Sequence, residues 1–323
     1  MIIKKQREEL LELIKLERLI RRLPPDHLKY EELNKKLIQH KVGQFGEQKL
    51  DYYLSHLRHP QIFIFQYLRL PINKDYHFQI DFLLLTPKTI IVIESKHISG
   101  EIQLTPLQML RTIENQTEIF QNPIQQVNNQ KYHLINLLEK HSIKIPPVFT
   151  NVTFTNAKTM IEVDSNYSYA HKIITRADAL IDRINYQLSQ VEEPLFNGNE
   201  LNKITRLLKR QHTPNDQNVL EKYGITQNEL LTGIYCKYCE RFSVIRSYGW
   251  RCSCCNRIDP TSYTDAIQDY YYLINKEITT NESMRFMNLD SYSIALKELK
   301  KLNCKSEYDG YKSIFDLRQL VKK

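Results

Sequence analysis

Three places in the first half of the chain carry side chains suited to phosphoester chemistry. Asp81 lies inside the apolar run 78–85, FQIDFLLL. Glu94-Ser95-Lys96 lies inside the run 89–98, TIIVIESKHI. Gly43-Gln44-Phe45-Gly46-Glu47 opens a predicted helix. Both apolar runs read as strands, and in a strand residues i and i+2 share a face. Glu94 and Lys96 therefore point the same way. The short turn Thr86-Pro87-Lys88 joins the two strands, so Asp81 can reach the same end of the sheet. Carboxylates that meet repel one another unless a cation joins them, and a hard, oxygen-seeking ion such as Mg²⁺ (or Mn²⁺) is the natural occupant. Such an ion acidifies bound water and polarises a phosphoryl oxygen. Lys96 would orient that water or offset charge as a pentavalent phosphate forms. The competing reading is a plain Glu94–Lys96 charge pair, since an ExK triplet arises by chance roughly once in a chain of this size. Against it stands the apolar strand around them, where charged groups cost free energy unless they pair or bind something.

A second constellation lies in the last third. Cys236-Lys237-Tyr238-Cys239 and Cys252-Ser253-Cys254-Cys255 form two CxxC knuckles separated by twelve residues. Two knuckles aim four thiolates at one point, the closed tetrahedral set of a structural Zn²⁺ site, with an iron–sulfur cluster as the rival occupant. So short a module cannot bury a core of its own, so metal binding would supply its folding free energy. Cys254 is spare, and Cys304 reads as a small buried hydrophobe. Arg241, Arg246, Arg251, Arg257, Tyr248 and Trp250 suit a nucleic-acid surface, although Tyr248 and Trp250 could equally cover the metal.

These residues need elements to hold them. A helix is predicted over 1–23, with Leu10, Leu13, Ile14 and Ile20 at helical spacing, and Pro24-Pro25 ends it. Two more helices follow at 26–40 and 44–57. Strands are expected at 62–70, 78–85 and 89–98. A polar stretch leads to a helix at 123–141, then strands at 146–156 and 159–163, the second pairing beside the first, and a helix at 174–188. That order is an α/β core ending near Gln211. The segment 212–217 is a polar linker. After Pro260, helices are expected at 262–274, 279–287 and 290–302, the last two joined by a turn at Asn288-Leu289-Asp290. A hairpin turning at Asp309-Gly310 follows, so this segment is similar to winged helix-turn-helix modules. Plain packing of helices on the zinc module is the alternative.

Residues 43–134 resemble a NERD domain, the nuclease-related domain of the PD-(D/E)XK superfamily. The matching pieces are GQFGE (43–47), QIDFLLL (79–85), IIVIESKHISGEI (90–102) and NPIQQ (122–126). With the helical preamble, the resemblance covers about the first 190 residues. It implies that Glu47 is the helix carboxylate, Asp81 the central metal ligand, Glu94 the second ligand and Lys96 the catalytic lysine. It also implies that Gln126 closes the site from a polar helix position. Phe82 stands where the family often has His, TPKT where a turn glycine is usual, and His97 where Asn is common. His97 points away from Lys96, which suits a structural role.

Composition bounds the rest. The chain has 323 residues, 45 Lys and Arg against 37 Asp and Glu for a net charge of +8, 20 Tyr and 8 Gly. Hydrophobic residues make up 41%, enough for packed domains and too many for a mostly disordered chain. The scarcity of glycine argues against phosphate loops, and no GxxxxGK[ST] or GxGxxG is present. No stretch approaches the 18 apolar residues of a membrane span, and the N-terminus lacks the apolar core of a signal peptide. A cytoplasmic protein is expected. The expected architecture is α/β: by the resemblance, a restriction-endonuclease-like mixed sheet flanked by helices, plus a small C-terminal zinc ribbon and a winged-helix-like module. The expected divisions are N-terminal helices at 1–42, the nuclease-like core at 43–211, linker helices and ribbon at 212–260, and the helical module at 261–323. The expected function is a Mg²⁺-dependent nuclease hydrolysing DNA, with RNA as a second possible substrate. The alternatives are a DNA-binding protein with a silent core and a zinc-stabilised adaptor. Residues 212–323 alone would form a DNA-binding arm. Oligomeric state is left open.

Overall fold

The structure, a computed structural model, describes residues 2–7, 11–59, 61–308 and 310–321. The chain divides into two compact units, Met1–Leu10 with Gln39–Asn215, and Leu11–Ile38 with Asp216–Lys323. It opens with strand β1 (Ile2–Lys5) and helices α1 (Leu11–Arg22) and α2 (Tyr30–Ser55). Two expectations change here. The helix predicted over 1–23 is a strand followed by a shorter helix, because Ile2, Ile3 and Lys5 pair in parallel with the next strand. Leu10 lies outside the described residues. The helices predicted at 26–40 and 44–57 are one helix, so GQFGE lies within α2 and does not open it.

The first unit is built on a six-stranded mixed sheet in the order β1-β2-β3-β4-β8-β10. Its further strands are β2 (Phe63–Pro71), β3 (His77–Leu85), β4 (Ile90–Lys96), β8 (Val148–Phe154) and β10 (Ile174–Arg176). β2, β3 and β4 are antiparallel neighbours, while β4, β8 and β10 run parallel. Nearly all of β3 and β4 is buried, as a strand covered on both faces requires. Alternate residues serve opposite sides. Leu83, Leu85, Ile90 and Val92 pack with Ile124, Val127 and Leu134 of helix α3 (Pro123–Lys140) and with α5 (Gly198–Gln211). Phe82, Leu84, Ile91 and Ile93 pack with Leu50 and Leu54 of α2 and with Leu180 and Ile184 of α4 (Leu180–Ser189).

The polar stretch before α3 holds three strands not read from the sequence, β5 (Gly100–Leu104), β6 (Gln108–Ile113) and β7 (Gln116–Gln121). With β9 (Thr159–Val163) they form a second sheet, β7-β6-β5-β9. β9 therefore pairs in parallel with β5, not beside β8 as expected. The segment 174–188 also begins as strand β10, where Ile174–Arg176 completes the parallel edge beside β8.

The second unit joins α1 to the C-terminal part of the chain. It contains α6 (Val219–Tyr223), a ribbon of β11 (Ile234–Cys236), β12 (Arg241–Arg246) and β13 (Trp250–Cys252), then α7 (Ser262–Leu273). There follow β14 (Glu277–Thr279), α8 (Thr280–Phe286), α9 (Tyr292–Lys301), β15 (Ser306–Tyr308) and β16 (Ser313–Asp316). The last three strands form one antiparallel sheet in the order β14-β16-β15. Three helices with a β-wing match the winged-helix-like expectation, and Gly310 at φ +90° sits in the wing turn. Asp309 of that turn lies outside the described residues. Ribbon and helices share one core, in which Ile234, Val244 and Trp250 meet Tyr263, Ile267, Phe286 and Phe315. The winged-helix and ribbon-packing readings thus hold together. Trp250 stacks on Tyr263, ring centroids 5.2 Å apart, whereas Tyr248 is fully exposed. α1 is tied to α7 by charge: Asp269, fully buried, accepts from Arg22 Nε at 2.6 Å, from Arg18 Nη1 at 2.6 Å and from Arg21.

Candidate functional site

Asp81 and Glu94 are placed by the β3–β4 register. The antiparallel pairing ends at Phe82↔Ile93, one step before Asp81 would meet Glu94. Beyond that point the strands stop exchanging backbone hydrogen bonds, and the Ser95 N–H donates instead to Asp81 Oδ2 at 2.9 Å. The neighbouring strand is irregular at the same level. Tyr67, which the β2–β3 register sets opposite Asp81, has φ 54°, a left-handed conformation that costs a non-glycine residue free energy. Asp81 is 8% exposed and Glu94 3%, and alternation turns both to the α3 side of the sheet.

α3 meets them there because of how it starts. Asn122 Oδ1 accepts from Ile124 N at 2.8 Å, and Pro123 occupies the first turn, where no N–H is required. Asn122 Nδ2 also donates to Thr105 O at 2.8 Å, pinning the cap to the preceding loop. Gln126 and Gln130, one turn apart, then face β4. Lys96 Nζ donates to Glu94 Oε1 at 2.6 Å and to Gln126 Oε1 at 2.9 Å. Gln130 Nε2 donates to Glu94 Oε2 at 2.7 Å, while its own Oε1 is buried without a partner among the described residues.

Glu47 comes from α2, on the other side of the sheet. Gly46 lets the helix approach, since a Cβ there would lie 2.3 Å from His97 Cβ and 3.0 Å from Thr155 Oγ1. His97 is fixed in turn by a 2.8 Å bond between Nδ1 and Thr155 Oγ1 and an edge contact with Phe45. Its role is to seat α2, in line with the structural reading. Glu47 Oε2 accepts from Arg7 Nε at 2.9 Å, and Arg7 Nη1 donates to Asp51 Oδ2 at 2.6 Å. Gln66 Nε2 holds the other Asp51 oxygen at 2.6 Å.

Charge crowding is visible in the carboxyl groups. Burial, followed by the charges of Glu94 and Glu47, pushes the Asp81 carboxyl well above the usual carboxylate range, against the pull of the Ser95 N–H and Lys96. Burial likewise raises Glu47 to about 7 although Arg7 opposes it. All five residues expected at the site thus reach one region of the first unit. They do not form a tight chelate: among the described residues, only the four cysteines have all their ligand atoms within 4.8 Å of one another. Each carboxylate is instead held by its own donor. The donor set nevertheless fits a hard cation, because all its ligands are oxygens and Gln130 Oε1 is an orphaned acceptor beside Glu94. Sequence reasoning missed Arg7, Asp51 and Gln130. The four-residue step from Gln126 could have found Gln130, but nothing marks Arg7.

The four-cysteine centre is built from two matching turns. The Glu240 N–H donates to Cys236 O at 2.8 Å and the Asn256 N–H to Cys252 O at 3.0 Å. Glu240 and Asn256 both take left-handed φ, 57° and 60°. Sγ atoms of Cys236 and Cys255 are 3.7 Å apart, and those of Cys239 and Cys252 3.5 Å. Tetrahedral thiolates about 2.3 Å from a Zn²⁺ would be about 3.8 Å apart, so the thiols are spaced for zinc. Cys252 Sγ also accepts from the N–H groups of Cys254 and Cys255 at 3.3 and 3.4 Å. Cys254 points to solvent as the spare, and Cys304 is half-buried at the edge of the core.

Residues 42–155 match the family described as Nuclease-related domain, NERD. No curated protein and no solved structure matches the chain. No described helix is long and apolar enough to cross a membrane.

Proposed function

We propose that the nuclease-related domain is a divalent-metal-dependent nuclease that hydrolyses DNA phosphodiester bonds in the cytoplasm. The observation that carries this reading is the gathering of buried Asp81 and Glu94 with Lys96 inside the segment that matches the family. Asp81 and Glu94 would hold Mg²⁺ or Mn²⁺, which supplies an acidified water and a polarised phosphoryl oxygen when bound. Lys96, held by Glu94 and Gln126, provides a fixed positive charge for the developing phosphorane. Gln126 orients that ammonium, and Gln130 keeps Glu94 in one rotamer. Glu47 adds negative field from α2, moderated by Arg7. The Cys236, Cys239, Cys252 and Cys255 centre would hold one structural Zn²⁺ and support a nucleic-acid-binding module.

A second reading, a DNA-binding protein with a silent core, draws on the internal neutralisation of Glu94 by Lys96 and of Glu47 by Arg7. One assay separates them. Supercoiled plasmid, single-stranded DNA and RNA are incubated with the protein and Mg²⁺ or Mn²⁺, with EDTA as control. Metal-dependent cleavage is expected. Asp81→Ala should abolish it while keeping DNA binding, and Lys96→Ala should lower the rate while leaving metal binding in place. Equal cleavage by wild type and Asp81→Ala, or cleavage in EDTA, would sink the mechanism. Metal-independent binding without any cleavage favours the second reading.

A further inference from the structure

The first unit has a concavity outside the carboxylate centre, with a volume of about 500 Å³. It lies between the second half of α3 and the hairpin that joins β2 to β3. Lys74 and Asn73 come from the hairpin, and His133, Asn136, Lys140 and His141 from α3 and its C-cap. Among the described residues, no carboxylate lines it. The cleft therefore presents two lysines with no acidic side chain to offset them. Among the described residues, neither Lys74 nor Lys140 has an ion-pair or hydrogen-bond partner. Lysines on two walls of one cleft repel each other unless an anion lies between them. The floor is firm, since the His133 ring lies against Phe78 with centroids 5.5 Å apart.

Its placement gives the anion a chemical class. α3 carries both this cleft and the two glutamines that hold Lys96 and Glu94. At 1.5 Å rise per residue, Asn136 stands about 15 Å along the helix from Gln126, roughly four nucleotides at 3.4 Å each. A strand whose scissile phosphate faces Lys96 could therefore present a later phosphate to Lys74 and Lys140. We propose that this cleft is a backbone-phosphate subsite, holding the nucleic-acid strand several nucleotides away from the bond to be cut. The proposal rests on the nuclease reading for its direction along α3, though not for the binding itself.

The test uses the full chain in EDTA, so that no cleavage is needed, with a fluorescent 20-base-pair DNA duplex whose affinity is measured across salt concentrations. Lys74→Ala/Lys140→Ala is compared with wild type and with Lys158→Ala/Lys172→Ala, exposed lysines outside the cleft. Loss of two phosphate contacts should weaken binding and flatten the log K against log salt slope by about 1.8, while the control pair leaves it unchanged. The same duplex bearing 4-thiothymidine should photocross-link to peptides spanning 71–77 or 133–141. An unchanged slope, or cross-links confined to the rest of the chain, overturns the subsite. Cleavage in Mg²⁺ with an unchanged slope would fault the subsite alone. A lysine-dependent slope without cleavage would fault the nuclease reading and leave the subsite standing.

Discussion

Two glycines three residues apart in α2 should respond to alanine in opposite ways. A methyl group added at Gly43 would meet nothing within 4 Å, so Gly43→Ala should gain the ordinary helix preference of alanine, about 0.5–1 kcal/mol. Gly46→Ala gains the same but sets its Cβ 2.3 Å from His97 Cβ. Comfortable carbon–carbon contact is about 3.5–4.0 Å, so α2 must retreat by about 1.2–1.7 Å. No rotamer change relieves a clash with a Cβ. Overpacking of this kind costs about 1–3 kcal/mol, which is also the expected difference between the two variants. At about 2–4 °C per kcal/mol for a unit of this size, their melting temperatures should differ by about 2–12 °C, with Gly46→Ala the lower. Calorimetry measures this directly. If the retreat carries Glu47 with it, cleavage falls as well, since misplacement by about 1 Å can cost on the order of a hundredfold. His97→Gly added to Gly46→Ala removes the 2.3 Å clash and should recover part of both, since Thr155 Oγ1 still lies 3.0 Å from the added Cβ. Equal stabilisation by the two alanines would refute the close approach of α2 to the end of β4.

Other outcomes follow from the second unit. Purified protein should carry about one Zn per chain by elemental analysis, and Cys236→Ser should lower the melting of this unit while leaving the first unit folded; absence of any transition metal would contradict this. Asp269→Ala should cost about 3–5 kcal/mol, because it leaves fully buried Arg22 without its carboxylate, and replacing both by apolar residues should cost less; chemical denaturation distinguishes the two. A fragment of residues 212–323, which the sequence alone suggests as a self-sufficient DNA-binding arm, lacks α1 and should unfold readily, whereas adding a peptide of residues 11–38 should restore its circular dichroism.

The parts legible in the sequence are those whose signal is local. β3 and β4 announce themselves as apolar runs because both faces are covered, and Glu94 and Lys96 stand out against that background. The CxxC pairs are equally plain, since a knuckle is a four-residue turn. The second sheet is hidden because β7, QTEIFQ, is mostly exposed and has no apolar face to alternate. β1 is hidden by its partner: Ile2 and Ile3 are strand residues only because Phe63 and Ile64 lie beside them, some sixty positions away. Gly43 and Gly46 look like helix breakers, yet Gly46 is required by what packs on it and Gly43 interrupts nothing. Arg7 is invisible because a lone arginine becomes part of a site only when the fold brings Glu47 and Asp51 to it.

The Arg22–Asp269 pair spans 247 residues of chain. A ribosome adding about 5–20 residues per second makes Asp269 roughly 12–50 s after Arg22. During that interval the whole nuclease-related segment is synthesised and can fold. α1 cannot, for Leu13, Leu16, Leu19 and Ile20, which end up buried, have no α7 to pack on until residues past 260 emerge. The nascent chain thus carries the amphipathic helix α1 without its α7 partner throughout that interval. A chain cut before residue 269 would keep the nuclease-related segment and leave Arg22 without its carboxylate and the apolar face of α1 without the C-terminal half of α7.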